Sequence, residues 1–149
     1  MVQNFKGEIE YKLNLYRPYL SGFRITSKFG QRKLRNFFKS HKGTDYVGEG
    51  GKTIYSIGKA KVLRTGYQAN GAGNYVVCSS TWYLTDIEIK YFHLSKIFVE
   101  IDQLINQGDE IGIEGNTGHS TGSHLHLEIW VEGKAIDPEG KDVKWIGRG

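Results

Sequence analysis

Short runs in which apolar and polar residues alternate at period two, rich in Val, Ile, Tyr and Thr, recur at residues 53–57, 60–67, 74–79, 82–92, 110–114 and 124–131. Alternation of this kind sends successive side chains to opposite faces of a strand, so the pattern predicts a mostly β fold built from antiparallel sheets. One stretch has helical spacing instead. Phe98, Ile101, Leu104 and Ile105 fall on one face ahead of Gln107-Gly108, which predicts one short helix over residues 98–105. Twenty glycines against two prolines imply many tight turns, and there is neither an internal repeat nor a linker. Residues 1–21 carry the weakest pattern. They are expected to form an N-terminal extension, a hairpin or arm laid against the sheet, ahead of a single domain over residues 22–149.

Composition narrows the class. The chain has 149 residues, 38% hydrophobic and 24% charged, and its mean hydropathy of -0.46 is that of an ordinary globular domain. A chain of this length buries roughly 68–70% of the surface it exposes when unfolded, so a metal would serve chemistry rather than folding. No run approaches the roughly 18 apolar residues of a membrane helix, and the first twenty residues lack the apolar core of a secretory signal, so the chain as given is not expected to export itself. The single cysteine, Cys78, excludes an internal disulfide and any CxxC site. It is expected in the core, which leaves histidines and carboxylates as metal ligands. A net charge of +4 favours an anionic partner, either nucleic acid or a bacterial wall polymer. The most basic stretch, residues 28–42, carries Lys28, Arg32, Lys33, Arg35, Lys39 and Lys42 among Phe29, Phe37 and Phe38, with no acid. It reads as a solvated loop, as the cationic rim of a cleft, or as a nucleic-acid patch.

Five histidines carry the candidate chemistry. In the run at 124–131, period two sends His124, His126, Glu128 and Trp130 to one face and Leu125, Leu127, Ile129 and Val131 to the other. Two neighbouring imidazoles on one rigid face are costly as mere packing, since each needs a partner and both resist joint protonation. Upstream, His41 and Asp45 stand four apart around Gly43. Catalytic zinc takes three N or O ligands and leaves a position for water, a number that His41, Asp45 and either His124 or His126 would supply. His93 ends a strand pattern on which it is expected to share a face with Ile89 and Tyr91, whereas His119 is expected on an exposed loop. Gly118-His119-Ser120-Thr121-Gly122 fits a nucleophile elbow by letter, but a strand follows where a helix is required and no histidine follows Asp137. Gly51-Lys52-Thr53 lacks the earlier glycine of a phosphate loop, Tyr46 standing there, and no His-Glu pair exists for an HExxH zinc site.

Taken in order, Ile25-Thr26-Ser27-Lys28-Phe29-Gly30, His41-Lys42-Gly43-Thr44-Asp45, Tyr91-Phe92-His93-Leu94-Ser95, Gly108-Asp109-Glu110-Ile111-Gly112, Gly115-Asn116-Thr117-Gly118 and Ser123-His124-Leu125-His126 closely resemble the lysostaphin/LytM-type zinc metallopeptidases, which cut peptide bonds in bacterial peptidoglycan. The resemblance runs from about residue 22 to residue 138. It implies antiparallel β sheets of the duplicated-hybrid-motif kind with a groove between loops. It further implies one Zn²⁺ per chain held by His41, Asp45 and His126, with His93 and His124 as catalytic histidines beside it. Zinc lowers the pKa of its water to about 7 and polarises a scissile carbonyl. His124 is then placed as general base and His93 as oxyanion stabiliser or partner in the proton transfer, with the division between them open. Glu128 is expected to orient an imidazole. Asn116 and Thr117 are expected to line the cleft, and Tyr46 and Tyr91 to be core rather than wall.

Lys28, where many members carry a small residue, and the long basic stretch before His41 depart from the family and bear on substrate. The implied substrate is peptidoglycan, with no membrane and no nucleic acid as partner. A non-catalytic wall-binding module on the same fold would have lost zinc ligands that this chain keeps. The implied site of action is outside the membrane, reached as a phage-encoded lysin, as a virion component or as a domain of a larger secreted protein.

Overall fold

The computed structural model describes residues 12–34 and 37–147, without the side chains of residues 31–39. The strands are β1 (Leu13–Tyr16), β2 (Phe23–Ser27), β3 (Gly30–Leu34), β4 (Phe37–His41), β5 (Thr44–Gly48), β6 (Thr53–Tyr55) and β7 (Ala60–Gln68). They continue with β8 (Gly73–Trp82), β9 (Thr85–Ile97), β10 (Leu104–Ile105), β11 (Glu110–Glu114), β12 (Leu125–Val131), β13 (Lys134–Ile136) and β14 (Val143–Ile146). The main sheet runs β10-β7-β8-β9-β12-β5-β2, with β11 bridging β6 and β9 and with β13 beside β12. All its pairings are antiparallel. Five of the six predicted runs lie on single strands to within two residues at their ends, because each carries an apolar face that a sheet can bury; the run at 82–92 instead crosses the β8–β9 hairpin turn at Tyr83 and Leu84 before entering β9. On β12, Leu125, Leu127, Ile129 and Val131 are almost wholly buried, whereas His126 and Trp130 on the opposite face are half-buried.

The predicted helix does not form, and no helix occurs among the described residues. Of its expected apolar face only Ile105 is buried; Phe98, Ile101 and Leu104 are exposed. Asp102 adopts a left-handed backbone with φ 71°, the Gln103 N–H donates to Glu100 O across a tight turn, and Leu104 and Ile105 pair with β7. A helix would have buried that stripe; the sheet edge offers instead a ladder for the backbone and a core position for Ile105 alone.

Of the expected extension over residues 1–21, residues 1–11 lie outside the described residues, and the described part, residues 12–21, is integral to the packing. β1 pairs in parallel with β14, Leu13 opposite Val143 and Tyr16 opposite Ile146, the one parallel pairing among the described strands. Leu13 and Leu15 join Ile54, Ile57, Ile89, Ile111 and Leu127 in a single core, where each buried aliphatic side chain contributes roughly 1.5–3 kcal/mol. Tyr46 and Tyr91 lie fully inside that core, as does Cys78, whose thiol burial pushes up to about 12. The basic stretch is not a plain loop, since β3 and β4 pair along it from Gly30 opposite His41 to Leu34 opposite Phe37. The side chains of Arg32, Lys33 and Lys39, and all of Arg35, lie outside the described residues.

Candidate metal centre

The β5–β12 register sets Asp45 directly opposite His126. His41 ends β4 with two residues between it and the start of β5, and the turn they make fits only because residue 43 is glycine: a Cβ there would lie 2.3 Å from Leu127 O and 3.0 Å from His126 Cε1. These constraints bring one ligand atom from each of His41, Asp45 and His126 within 4.8 Å of one another. His126 Nδ1 is 2.7 Å from Asp45 Oδ1, His41 Nε2 is 3.5 Å from the same oxygen and 3.3 Å from His126 Nδ1.

His93 arrives by a broken alternation. Ile87, Ile89 and Tyr91 of β9 point into the core, and the next core residue is Leu94 rather than His93. The pairing with β8 slips there, Val76 facing Tyr91 and Asn74 facing Leu94, and His93 takes φ 68°. An extra residue in one strand is a β-bulge, which re-aims a side chain. His93 is therefore not on the face of Ile89 and Tyr91, as strict alternation predicts, but beside His124, with ring centroids 4.7 Å apart. His124 Nε2 lies 3.8 Å from Asp45 Oδ1, so four imidazoles and one carboxylate meet in one place. His119 stands apart, on an exposed loop.

Each ring is turned by an acceptor behind it. His41 Nδ1–H donates to Lys28 O at 2.8 Å, His93 Nδ1–H to Thr117 O at 2.8 Å and His124 Nδ1–H to Gly122 O at 2.8 Å. His126 is reversed, its Nε2–H donating to Glu128 Oε2 at 2.8 Å. With these nitrogens engaged, His41, His93 and His124 turn Nε2 toward the centre, and His126 turns Nδ1. Outer acceptors of this kind fix ligand histidines in metal sites. Two imidazole nitrogens and a carboxylate form a donor set suited to zinc. The residues therefore fit the metal.

The electrostatics point the same way. Burial alone would raise the Asp45 carboxyl, but hydrogen bonding to His126 and His41 holds it well below the usual carboxylate range. Burial alone would lower His126, yet its bonds to Asp45 and Glu128 lift it to about 9, so its ring carries a positive charge between two carboxylates where a cation can substitute for its proton. Burial lowers His93, opposed by its bond to Thr117 and reinforced by its imidazole neighbours. That leaves His93 neutral at neutral pH and able to accept a proton.

Several supporting groups carry no local sequence signal. Phe92 stacks on His126 with centroids 5.4 Å apart. The Lys28 carbonyl, just ahead of β3, anchors His41 at the end of the β3–β4 pair where Gly30 faces it. Glu114, fully buried, accepts from Tyr19 Oη at 2.5 Å, Gly48 N at 2.8 Å, Lys52 Nζ at 3.1 Å and Ser123 Oγ at 2.6 Å. It thereby ties the N-terminal segment to the residue before His124. Thr117 also donates its hydroxyl to Leu94 O and accepts from Asn74 N, and this loop passes so close to Gly73 that a Cβ on Gly118 would lie 2.2 Å from Gly73 N.

The chain is similar to known proteins in sequence and in fold. The chain is 40% identical over 124 residues to the peptidoglycan DD-endopeptidase ShyA of Vibrio cholerae, a match covering 80% of this chain and 28% of that protein. It is also 40% identical to an uncharacterized metalloprotease of Buchnera aphidicola, covering 82% and 32%; the chain thus spans about a third of the length of these curated relatives. Its fold superposes on a zinc-containing peptidase from Vibrio cholerae with a TM-score of 0.75 at 33% identity, covering 93% of this chain and 43% of that one. The catalytic domain of lysostaphin from Staphylococcus simulans gives 0.68 at 28% identity, covering 78% and 89%. Residues 39–138, which hold His41, Asp45, His93, His124 and His126, match Peptidase family M23, and the chain belongs to that family.

Proposed function

We propose that this chain is the catalytic domain of a zinc endopeptidase that hydrolyses peptide bonds in bacterial peptidoglycan. The observation that carries this reading is the convergence of four separately anchored imidazoles on the Asp45 carboxylate. His41 through Nε2, His126 through Nδ1 and Asp45 through its carboxylate would hold one zinc ion. When bound, zinc supplies Lewis-acid polarisation of the scissile carbonyl and a water made acidic enough to ionise near neutral pH.

The remaining work belongs to His93 and His124. Both turn Nε2 toward the same space, and burial keeps His93 neutral. One ring accepts a proton from the attacking water at Nε2. The pair then returns it to the leaving amine, a form of acid–base catalysis worth typically 10²–10⁴-fold. Thr117 O and Gly122 O keep the Nδ1 protons in place, so each ring handles only one. Peptidoglycan as substrate follows from the relatives named above and from the basic charge of the chain, which favours an anionic wall. The reaction then takes place outside the cytoplasmic membrane.

The test is digestion of purified peptidoglycan with the zinc-loaded protein, read by mass spectrometry of the soluble fragments. New amine and carboxyl termini at one type of peptide bond, absent with His93→Ala, are expected. Intact walls after exhaustive digestion would overturn the reading.

A further inference from the structure

Next to the metal centre is a recess of about 390 Å³ that the catalytic chemistry does not use. His41 forms part of its wall, together with Phe29, Ser40, Lys42, Trp130 and Lys134, and none of its described lining residues is acidic. Lys42 Nζ sits 5.5 Å from the centroid of the Trp130 ring. Neither Lys42 nor Lys134 forms an ion pair among the described residues. The recess on the other side of Trp130 is different: Asp86 and Glu88 there balance Arg64 and Lys90, and Arg64 pairs with Glu88 at 3.8 Å. Among the described lining residues a net positive charge thus lies on the side of Trp130 that adjoins the metal ligand, while on the other side Lys90, 4.5 Å from the ring centroid, is balanced by the acids of its recess.

The wall of this recess is rigidly tied to the reacting centre. Trp130 Nε1–H donates to Glu128 Oε1 at 2.7 Å, and the other oxygen of the same carboxylate holds His126. Trp130 is four residues along β12 from His126, a span of roughly 13 Å at about 3.3 Å per residue. An extended peptide lying along β12 with its scissile bond at the metal would bring a group a few residues away to this recess.

We propose that the recess is a subsite for a free carboxylate carried by the substrate peptide, bound by Lys42 and Lys134 against Trp130. The proposal rests on the peptidase reading above. Two exposed cations each act at the modest scale of surface ion pairs, so the expected selectivity is about fivefold rather than absolute.

The experiment uses the zinc-loaded full chain and two synthetic peptides built around the bond cut in the wall digest, identical except that one bears a free carboxylate and the other a carboxamide a few residues from that bond. The carboxylate peptide is expected to show about fivefold higher kcat/KM. In the double variant Lys42→Gln, Lys134→Gln that ratio should fall to about one, through loss on the carboxylate peptide alone. In parallel, the indole N–H resonance of Trp130, assigned with Trp130→Phe, should move with the carboxylate peptide and not with the carboxamide. Equal kcat/KM for both peptides in the unmodified protein, a preference that survives the double variant, or an unmoved Trp130 resonance would each overturn the subsite. If neither peptide nor wall is cut, the peptidase reading fails, and the Trp130 resonance still decides whether the recess takes a carboxylate.

Discussion

Glu128 Oε2 accepts the Nε2–H of His126 at 2.8 Å, and this single bond decides which nitrogen of the ring faces Asp45. The other three histidines of the site each have a backbone carbonyl behind Nδ1, which mutation cannot remove, and His124 has Ser120 Oγ as well at 3.2 Å; His126 depends on a side chain with no carbonyl behind it. Replacing Glu128 with Gln leaves one oxygen to serve two donors, His126 and Trp130. Zinc affinity is expected to fall 10- to 100-fold, as for other outer partners of metal-bound histidine, and a competition titration against a chelator measures it. Unchanged affinity would show that the ring is oriented by packing on Phe92 instead.

Removing a ligand should act on metal and turnover together. His41→Ala, Asp45→Ala and His126→Ala are each expected to lose zinc, measured by elemental analysis after dialysis, while His119→Ala keeps it. Chelation of the unmodified protein should abolish wall digestion, and added zinc should restore it. A metal-free protein that still digests walls would refute the metal reading.

His93→Ala and His124→Ala separate binding from chemistry. Each should retain about one zinc and the native circular dichroism spectrum while kcat falls by about 10²–10⁴-fold. Loss of zinc in either variant would move that histidine from proton handling to metal binding.

Glu114 makes stability depend on acidity. Burial alone would raise its pKa, but the bonds from Ser123, Tyr19, Gly48 and Lys52 together hold it below its ordinary value of 4.5. In acid the folded form therefore binds fewer protons than the unfolded one, so stability rises with pH in that range. The contribution is complete above about pH 4.5 and is lost as pH falls from there through the depressed folded value. Thermal melts should show Glu114→Gln destabilised at pH 7 by about 1–3 kcal/mol, with a shallower decline below pH 4.5 than the unmodified protein. Parallel acid limbs would assign the acid sensitivity to other carboxylates.

Leu15→Ala tests whether the N-terminal segment belongs to the folded unit. Leu15 is 1% exposed and lies in the same core as Ile89 and Leu127. Deleting such a side chain costs about 2–5 kcal/mol, transfer and cavity together. A urea unfolding curve should show that loss in one transition, whereas a change below about 0.5 kcal/mol would mean that β1 packs only loosely.

The sequence by itself determined the strands that bury an apolar face and the side-by-side placing of His124, just ahead of β12, and His126 on its open face, because period-two geometry is a local property of the backbone. The HxxxD spacing around Gly43 is local in the same way, since only a glycine lets the turn pass over Leu127 and His126. What the tertiary structure decided was set by contacts distant along the chain. The stripe at residues 98–105 has helical spacing, yet β7 claims its end as a sheet edge. His93 leaves the face of Tyr91 because Ala72 O takes its N–H and Thr117 O takes its ring, from segments about twenty residues to either side. Glu114 and Tyr19 meet across 95 positions. Alternation is written residue by residue; a bulge, a ring's tautomer and a buried carboxylate's partners exist only once separate strands have closed around them.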